Sequence, residues 1–229
     1  MTAPPSLSIV IPVLNESAGV VAFLNALATY RARSAEVIVV DGGSSDDTVS
    51  RAKPLADFVL SSARGRAMQM NAGAAIARGD VILFLHADTR LPPDFDKLIH
   101  EGLARSQHAW GRFDVAIEGS HPLLPIVGTS MNVRSRLTAI ATGDQAMFVT
   151  REAFDAVGGF PEIALMEDVA LSRRLKGVSR PLCLRARVTT SGRRWESRGV
   201  VRTILLMWRL RLAYFFGASP DDLARRYGY

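Results

Sequence analysis

Residues 81–89, Val-Ile-Leu-Phe-Leu-His-Ala-Asp-Thr, decide how the rest of the chain is interpreted. The five apolar residues from Val81 to Leu85 are typical of a strand buried on both faces, as in a mostly parallel sheet covered by helices. The run then becomes polar, and Pro92 and Pro93 prevent a central strand from continuing. In open α/β sheets, ligands bind beyond the carboxyl ends of the strands. The sequence therefore predicts a functional site directly after this strand.

Two side chains at the end of this stretch have metal-binding chemistry. Asp88 offers the kind of oxygen ligand that Mg²⁺ and Mn²⁺ prefer. His86 lies two residues earlier, so both side chains would point to the same side of the chain if the backbone stays extended. The alternative is that Asp88 only caps the turn before Pro92, and a motif this short does not decide between the two interpretations.

Length and composition are those of a folded α/β domain. The chain has 229 residues, 48% of them apolar, which is enough for one domain with a full core. Its single cysteine, Cys183, excludes an intramolecular disulfide bond. Residues 1–6 lack the features of a signal peptide, and no segment reaches the ~18–20 uninterrupted apolar residues of a membrane span. We therefore expect a cytoplasmic protein.

Charge is distributed unevenly along the chain. From Arg173 to the end there are 14 Lys and Arg against 3 Asp and Glu, a net charge of +11, whereas the preceding 172 residues carry −5. This asymmetry predicts that the C-terminal quarter faces phosphates, an anionic membrane surface or nucleic acid, with a solvated arginine-rich surface as the alternative. We expect no nucleic-acid binding, because aromatic rings other than Trp195, Trp208 and Tyr214 are not interleaved with the arginines.

Up to residue 89 the pattern alternates short strands with helices. Strands are predicted at 7–13, 37–40 and 57–60, and a helix at 68–77 leads into the strand at 81–85. Right-handed crossovers bring the loops that follow these strands to one edge of the sheet. That edge should gather Asn15, Glu16, Asp41, Arg64, Arg66 and Asp88. A Gly-x-Gly-x-x-Gly sequence and a Walker lysine are both missing, which argues against a dinucleotide or P-loop site.

Beyond Asp94 the pattern is less regular. We expect helices at 93–103, 122–138, 151–157 and 200–216, a strand with one exposed face at 110–117, and further β-structure at 146–149 and 182–188. Glu167 and Asp168 open another helix. Asp144 and Gln145, just before a predicted strand, either contact an acceptor or a sugar or simply form a turn.

Five motifs, in this order, resemble those of the family 2 glycosyltransferases of the GT-A fold. They are Ile-Pro-Val-Leu-Asn-Glu (11–16), Val-Val-Asp-Gly-Gly-Ser-Ser-Asp-Asp-Thr (39–48), Gly-Asp-Val-Ile-Leu-Phe-Leu-His-Ala-Asp (79–88), Gly-Gly-Phe (158–160) and Glu-Asp (167–168). The resemblance covers about residues 7–195 and is closest to small bacterial members of unassigned acceptor. It implies an α/β fold with a mixed, mostly parallel sheet and helices on both faces. We expect this domain at residues 1–195, followed by a basic amphipathic helical tail at 196–229.

The resemblance also implies roles for individual residues. The nucleotide would be bound by Pro12, Asn15, Glu16, Asp41, Arg64, Arg66 and Ala87. His86-Ala87-Asp88 would be the Asp-x-Asp metal motif with His in place of the first Asp, and Asp88 would join Mn²⁺ or Mg²⁺ to the diphosphate. Glu167-Asp168 would be the catalytic pair, with Asp168 as the base. Ser191 to Trp195 resembles the Gln-x-x-Arg-Trp motif of processive members, but Ser replaces Gln, which favours a single sugar transfer.

The chemistry of these residues supports the same reaction on its own terms. Displacing a nucleoside diphosphate needs positive charge at the leaving oxygens, and an acceptor hydroxyl needs a carboxylate base within hydrogen-bond reach. A helix N-terminus keeps such a carboxylate ionised. The alternative is that Glu167 and Asp168 only place favourable negative charge in a first helical turn. Arg193 and Arg194, beside Trp195, either clamp a phosphate or coat the surface.

The function predicted from the sequence is an inverting, metal-assisted transfer of one sugar from a nucleoside-diphosphate sugar, with a UDP-sugar favoured, to an acceptor hydroxyl. A sugar-phosphate nucleotidylyltransferase is one alternative, but Asn15-Glu16 stands where that class usually has a glycine-rich basic loop. A non-catalytic nucleotide-sugar-binding or membrane-associated protein is another, suggested by His86 and the basic tail.

The tail itself has three interpretations. Residues 200–216 mix apolar side chains with Arg202, Arg209 and Arg211, a combination suited to a membrane interface that delivers a lipid-linked acceptor. The same helix suits packing on the sheet, or on a second copy of the chain in a homodimer, with the arginines reaching to water.

Overall fold

The apolar run at residues 81–85 begins with the strand Val81–Phe84, which lies inside an eight-stranded sheet. The computed structural model describes residues 6–228. In chain order the strands are β1 (Leu7–Val13), β2 (Ala35–Asp41), β3 (Phe58–Ser61), β4 (Val81–Phe84), β5 (Thr89–Arg90), β6 (Trp110–Glu118), β7 (Phe148–Thr150) and β8 (Leu182–Ser191). Across the sheet their order is β3-β2-β1-β4-β7-β6-β8-β5.

Helices connect and cover the strands. They are α1 (Val20–Asn25), α2 (Ala28–Arg31), α3 (Thr48–Ala52), α4 (Arg66–Ile76), α5 (Phe95–Ala104), α6 (Leu124–Thr138), α7 (Arg151–Ala156), α8 (Glu167–Leu175), α9 (Arg193–Arg198), α10 (Val200–Phe215) and α11 (Pro220–Tyr227). The helical tail predicted at 196–229 includes α11, but the sequence analysis gave separate bounds only to the helix at 200–216, although Ser219-Pro220 is a usual helix start. Within residues 6–228, none of the helices is long and apolar enough to cross a membrane.

The sheet combines a parallel half with a mixed half. β1 pairs in parallel with β2 and β4, and β2 with β3. β7 then runs antiparallel between β4 and β6, β8 is parallel to β6, and β5 is antiparallel to β8. The predicted fold class, an α/β protein with a mixed and mostly parallel sheet, is confirmed.

Alternate side chains of β1 enter two separate apolar layers, one on each face of the sheet. Ile9 packs in one layer with Leu24 of α1 and Phe95 of α5. Val10 packs in the other with Met70 of α4 and other buried side chains. Both faces of the central strands are therefore covered by helices, as their uninterrupted apolar runs predicted.

Strand β6 corrects the prediction of an exposed face at 110–117. The Arg112 side chain is 0% exposed, because α6 covers that face. Its charge pairs with Asp114, which also lies 2.8 Å from Nη1 of Arg136. Asn132 of α6 accepts from the Val115 N–H at 2.8 Å. The alternation of apolar and charged residues along β6 thus reflects a buried ion-pair network rather than a solvated face.

The C-terminal helices pack onto the region that opens α8. Leu210 of α10 and Leu223 of α11 are buried in one cluster with Leu165 and Met166. At its other end, Val200 of α10 is buried against α6. One face of α10 is therefore covered, as the packing interpretation expects. The proposed division of the chain near residue 195 stays a prediction.

Candidate active site

The loops at 14–17 and 42–48, which follow β1 and β2, form a polar shelf at the carboxyl edge of the sheet. Asn15 has a φ of 54°, in the left-handed region that asparagine tolerates. Its N–H donates to Ser44 Oγ at 2.8 Å, and its Oδ1 accepts from the Ser45 N–H at 2.9 Å. Asp41 accepts from the N–H groups of Gly43 and Ser44, both at 3.0 Å. Side chains of the polar shelf thus hold its own backbone in place.

Glu16 connects the polar shelf to the end of β4. Its N–H donates to Thr48 Oγ1 at 2.7 Å. Partial burial and, next, the negative charge of Asp88 raise the pKa of the Glu16 carboxyl, whereas Arg193 and Arg194 act to lower it. The loops after β1 and β4 and the start of α9 therefore meet at one edge, as the predicted topology requires.

Gln69 of α4 supports the polar shelf from below, and the sequence predictions missed it. This buried amide donates to the carbonyl oxygens of Val13 at 2.9 Å and Val40 at 2.8 Å, where the two strands end. It also lies so close to Gly42 that a Cβ there would come within 3.0 Å of it. The signal in the sequence was an amide inside a helix of small and apolar residues.

The chain turns sharply after β4 instead of staying extended. The Thr89 N–H donates to the His86 carbonyl at 3.0 Å, so the extended geometry assumed for His86 and Asp88 is wrong. This turn lets the short strand β5 pair with β8. His86 Nδ1 lies 3.6 Å from an Asp144 carboxylate oxygen, whereas the exposed Asp88 carboxylate accepts from the Thr89 hydroxyl at 3.3 Å.

Asp88 is the carboxylate at the end of β4 that could hold a metal ion. Within residues 6–228, His, Cys, Asp and Glu side chains form no group of three or more that could hold a metal ion. Mg²⁺ and Mn²⁺ in nucleotide sites commonly take one or two carboxylates and complete their coordination with substrate phosphates and water. An exposed single carboxylate fits that donor set.

Glu167 and Asp168 open α8 in different environments. The Asp168 carboxylate is half-buried and accepts from the N–H groups of Gly143 at 3.0 Å and Val169 at 2.7 Å. Glu167 is only 5% exposed, and burial, followed by the charge of Asp168, raises its pKa to about 7. A buried carboxyl group with a raised pKa beside a carboxylate held by two N–H groups is an arrangement found in acid–base sites. The arrangement suits Asp168 as a base, with Glu167 beside it more readily protonated than an ordinary glutamate because its pKa is raised.

Asp144 stands between His86 and the carboxylate pair. It belongs to a 3-10 turn, Gly143–Gln145, whose first N–H holds Asp168. Partial burial alone would raise the pKa of Asp144, but the hydrogen bond and charge of His86, with Arg66 and Arg194 beyond, hold it below its ordinary value. The structure thus brings Asp144 into the predicted site.

Gln145 has a different position from Asp144. Its side chain is fully buried and accepts from the Thr142 N–H at 3.2 Å, which caps the 3-10 turn. This contact matches the turn interpretation of Gln145.

The remaining predicted residues lie around this centre. Pro12 is opposite Val40 in the β1–β2 pairing, and Ala87 lies within the turn after β4. The charge of Arg66 reaches Asp144 and Glu167, whereas Arg64 is exposed. The predicted residues at the start of α9 contact other parts of the protein. Arg193 donates to Ser191 Oγ at 3.2 Å, and Arg194 donates to the Tyr227 hydroxyl at 3.0 Å. Trp195 packs on the cluster around Leu124.

Two arginines outside the predicted site also approach the carboxylates. The Nε and Nη2 atoms of Arg134 on α6 are buried and have no hydrogen-bond partner within residues 6–228. Burial and then the charge of Arg211 lower the pKa of Arg134 to about 10, with Asp168 opposing. Burial lowers the pKa of Arg211 on α10 as well, against the charges of Asp168 and Asp144. The sequence predictions placed both arginines on helices without linking them to the site.

Comparisons with known proteins agree with this architecture. The family model described as Glycosyl transferase family 2 matches residues 8–157. A Mycobacterium tuberculosis protein named PGL/p-HBAD biosynthesis glycosyltransferase is 35% identical over 96 residues, which cover 39% of this chain and 38% of that relative.

Solved structures with the GT-A fold resemble most of the chain. S. aureus TarS 1–349 in complex with UDP-GlcNAc superposes with a TM-score of 0.66 at 19% identity, covering 82% of this chain and 59% of that one. The mannosyltransferase PcManGT from Pyrobaculum calidifontis, in complex with GDP-Man and Mn²⁺, has a TM-score of 0.63 at 22% identity, covering 93% of this chain and 62% of that one. At these identities the likeness is one of fold.

Proposed function

The chain belongs to family 2 of the glycosyltransferases, and from this premise we propose that it moves a sugar from a nucleoside-diphosphate sugar to an acceptor hydroxyl. One observation carries the proposal: the polar shelf, the exposed carboxylate of Asp88 and the pair Glu167-Asp168 meet at one edge of the sheet. The neighbours that hold UDP-GlcNAc and GDP-Man support a nucleotide-sugar donor, and UDP is the nucleotide we favour.

In this proposal the polar shelf receives the nucleoside. Asn15 and Glu16 belong to it, and we place Pro12, Asp41 and Ala87 beside it. The hydrogen bonds of Asn15 and Asp41 hold its backbone in one shape before the nucleotide binds. A site already in its bound conformation loses little entropy when the ligand enters. Arg64, Arg66, Arg193 and Arg194 add positive charge for the diphosphate.

Asp88 is the residue we assign to Mn²⁺ or Mg²⁺. When bound, the ion would neutralise charge on the diphosphate leaving group. The Mn²⁺ bound to PcManGT supports this assignment. His86 stands where the family motif has its first Asp, and in our proposal it orients Asp144 rather than supplying the main ligand.

Asp168 is the base in this mechanism. The acceptor oxygen bonds to the anomeric carbon, the bond from that carbon to the diphosphate breaks, its electrons leave with the nucleotide, and the hydroxyl proton moves to Asp168. A single displacement of this kind inverts the configuration at the anomeric carbon. The two N–H groups on the carboxylate hold it in one orientation, and the raised pKa of Glu167 limits competing negative charge beside it.

Release of nucleoside diphosphate from a panel of nucleotide sugars, with and without Mn²⁺, tests the proposal. We expect slow, Mn²⁺-dependent release of UDP from one UDP-sugar. Formation of pyrophosphate from UTP and a sugar phosphate would instead indicate a nucleotidylyltransferase. Tight binding of a nucleotide sugar without any release would indicate a non-catalytic binding protein.

We also propose that the exposed face of α10 contacts an anionic membrane surface, where a lipid-linked acceptor would be available. Large apolar side chains on this helix recur at helical spacing and stay exposed, with Trp208 at 74% and Phe215 at 68%; the others are Val201, Leu205 and Leu212. Arg202 and Arg209 are exposed on the same helix. An amphipathic helix with these features lies in the plane of a membrane interface.

Charge favours a membrane over a second copy of the chain as the partner of this face. The region from Arg173 onward carries +11, so a homodimer through α10 would bring like charges together, whereas anionic lipid attracts each arginine by about 1 kcal/mol. A peripheral position on the cytoplasmic face of the membrane belongs to this proposal.

Flotation with liposomes tests the membrane contact. The wild-type chain should float with anionic liposomes at low salt and less at high salt, because salt screens the arginines. Trp208→Ser should reduce flotation, whereas Val178→Ser, which removes an exposed apolar side chain elsewhere, should not. Failure of the wild type to float at low salt, together with a concentration-dependent dimer, would favour the homodimer instead.

A further inference from the structure

Arg112 and Arg134 both have buried guanidinium nitrogens, but the hydrogen bonding of the two groups differs. Every nitrogen of the Arg112 guanidinium has a partner: Nε donates to Ser135 Oγ at 3.1 Å, Nη2 to the Asn132 carbonyl at 3.2 Å, and Nη1 pairs with Asp114. Arg134, on the same helix that covers Arg112, has buried Nε and Nη2 atoms with no partner in the described part of the chain. Leaving buried charged donors unsatisfied costs stability, so the contrast needs a reason.

The position of Arg134 suggests that reason. It borders a depression of about 400 Å³ on the outer side of α6, together with Val133 and Leu137. Its charge also reaches Asp168, the base in the proposed reaction. Arg134 therefore borders open space, and its charge acts on the carboxylate that we assign as the base.

Arg211 brings a second positive charge to the same place. It directly follows Leu210, which is 2% exposed and packs against Leu165, Met166 and Val169 around the start of α8. This anchoring holds Arg211 in electrostatic contact with Arg134 and Asp168. Asp168 offsets part of the repulsion between these two positive charges, and a further anion bound beside them would offset more of it.

We propose that Arg134 and Arg211 form a binding subsite for an anionic group of the acceptor, a phosphate ester or a carboxylate, beside the hydroxyl that Asp168 deprotonates. The planar guanidinium can offer two parallel N–H donors to such an oxyanion. The inference rests on the proposed function for the role of Asp168. It narrows the acceptor to molecules that carry a negative charge near the reacting hydroxyl, whether free in solution or part of a lipid headgroup.

Thermal unfolding with the nucleotide site filled by UDP and Mg²⁺ tests the subsite directly. Inorganic phosphate should raise the Tm of the wild type above that in chloride at equal ionic strength, because an anion that binds only the folded state stabilises it. Arg134→Met should unfold at a higher temperature than the wild type in chloride, since an unpaired buried charge is gone, and should not respond to phosphate. Arg180→Gln, which removes an exposed arginine outside the site and outside α10, should respond like the wild type.

Matched ligands then identify the anion and its source. Glycerol 3-phosphate should bind the UDP-filled wild type more tightly than glycerol does. Arg134→Met and Arg211→Met should each weaken glycerol 3-phosphate binding roughly 10- to 100-fold, the range expected for a lost charge-assisted hydrogen bond, without changing glycerol binding. Tighter binding of phosphatidylglycerol vesicles than of glycerol 3-phosphate, with the excess lost in Arg134→Met but kept in Trp208→Ser, would indicate a lipid source. Tighter binding of glycerol 3-phosphate would indicate a soluble one.

Two results would overturn the inference. One is an equal response of wild type and Arg134→Met to phosphate, with the variant less stable in chloride, as expected for a purely structural arginine. The other is loss of the wild-type response once UDP is bound, which would assign both arginines to the donor diphosphate. Neither result would change the release of UDP from a UDP-sugar. Failure of the proposed function, in contrast, would abolish that release even in phosphate-free buffer.

Discussion

The polar shelf and the pair Arg134–Arg211 both border the candidate active site, yet they are built in opposite ways. On the shelf, Asn15 and Asp41 have backbone partners within about 3 Å. On the other side, Arg134 has buried donors that the described part of the chain does not satisfy. In the proposed function, the side assigned to the nucleotide is therefore organised before a ligand arrives, whereas the side assigned to the acceptor holds charge that a ligand would complete. Substitutions should therefore cost stability on the shelf and binding on the arginine side.

The largest effect is expected at Asp168, the residue proposed as the base. Asp168→Asn keeps the shape of the side chain but cannot accept the proton, so turnover should fall by ~10²–10⁴-fold. Steady-state UDP release and calorimetric UDP binding together check this. Binding should remain close to that of the wild type, and an Asn variant that kept most of its turnover would remove Asp168 from the role of base.

A smaller effect is expected at Asp88, the residue proposed to hold the metal ion. Asp88→Ala should weaken UDP binding in Mn²⁺ roughly tenfold or more, and should abolish the difference between Mn²⁺ and EDTA, because the ion that joins protein and diphosphate is lost. His86→Ala is the matched control and should retain most of the Mn²⁺ dependence. Wild-type affinity that is the same in Mn²⁺ and EDTA would contradict a metal at Asp88.

The shelf can be weakened without touching a ligand. Gln69→Leu removes one hydrogen bond from each of the buried carbonyls of Val13 and Val40, although the Val13 carbonyl still accepts from the Gly42 N–H at 3.0 Å. The unfolding free energy should therefore fall by roughly 1–3 kcal/mol. Urea unfolding measures the loss, and Gln107→Leu at an exposed position is the control. A loss confined to UDP affinity, with unchanged stability, would show that Gln69 acts on the ligand rather than on the shelf.

The smallest effect concerns the buried carboxyl beside the base. Because the folded-state pKa of Glu167 is raised from 4.5 to about 7, the folded state binds more protons than the unfolded state between these pH values. The contribution of Glu167 to stability is therefore fully present below about pH 4.5 and is lost as the pH rises to about 7. Glu167→Gln should be more stable than the wild type at pH 8, by on the order of 1 kcal/mol, but not at pH 4. Parallel pH–stability curves for the two proteins would show that Glu167 ionises normally.

Much of the fold and part of the site followed from local patterns. The runs at β1, β2 and β4 are long enough to identify buried strands, and the crossover rule then brings Asn15, Asp41 and Asp88 to one edge before any contact is known. The Glu167-Asp168 pair could be named because its motif and its place at a helix start are both visible in the sequence.

Other features depended on contacts between distant parts of the chain. The alternation of β6 suggested an exposed face, but burial is decided by α6, which packs over it. The turn at His86 accompanies the pairing of β5 with β8, about a hundred residues downstream, which the residues around His86 do not reveal.

Local sequence patterns were thus enough for the fold class and for the edge of the sheet where the predicted site residues gather, because side-chain periodicity and chain handedness are local properties. Three-dimensional packing was needed to show that Gln69 holds two strand ends and that the charge of Arg211 reaches Asp168. Packing also shows that every guanidinium nitrogen of Arg112 has a partner, whereas Nε and Nη2 of Arg134 have none within residues 6–228. Burial, hydrogen bonding and charge coupling depend on which elements pack together in space, and a local sequence pattern does not contain that information.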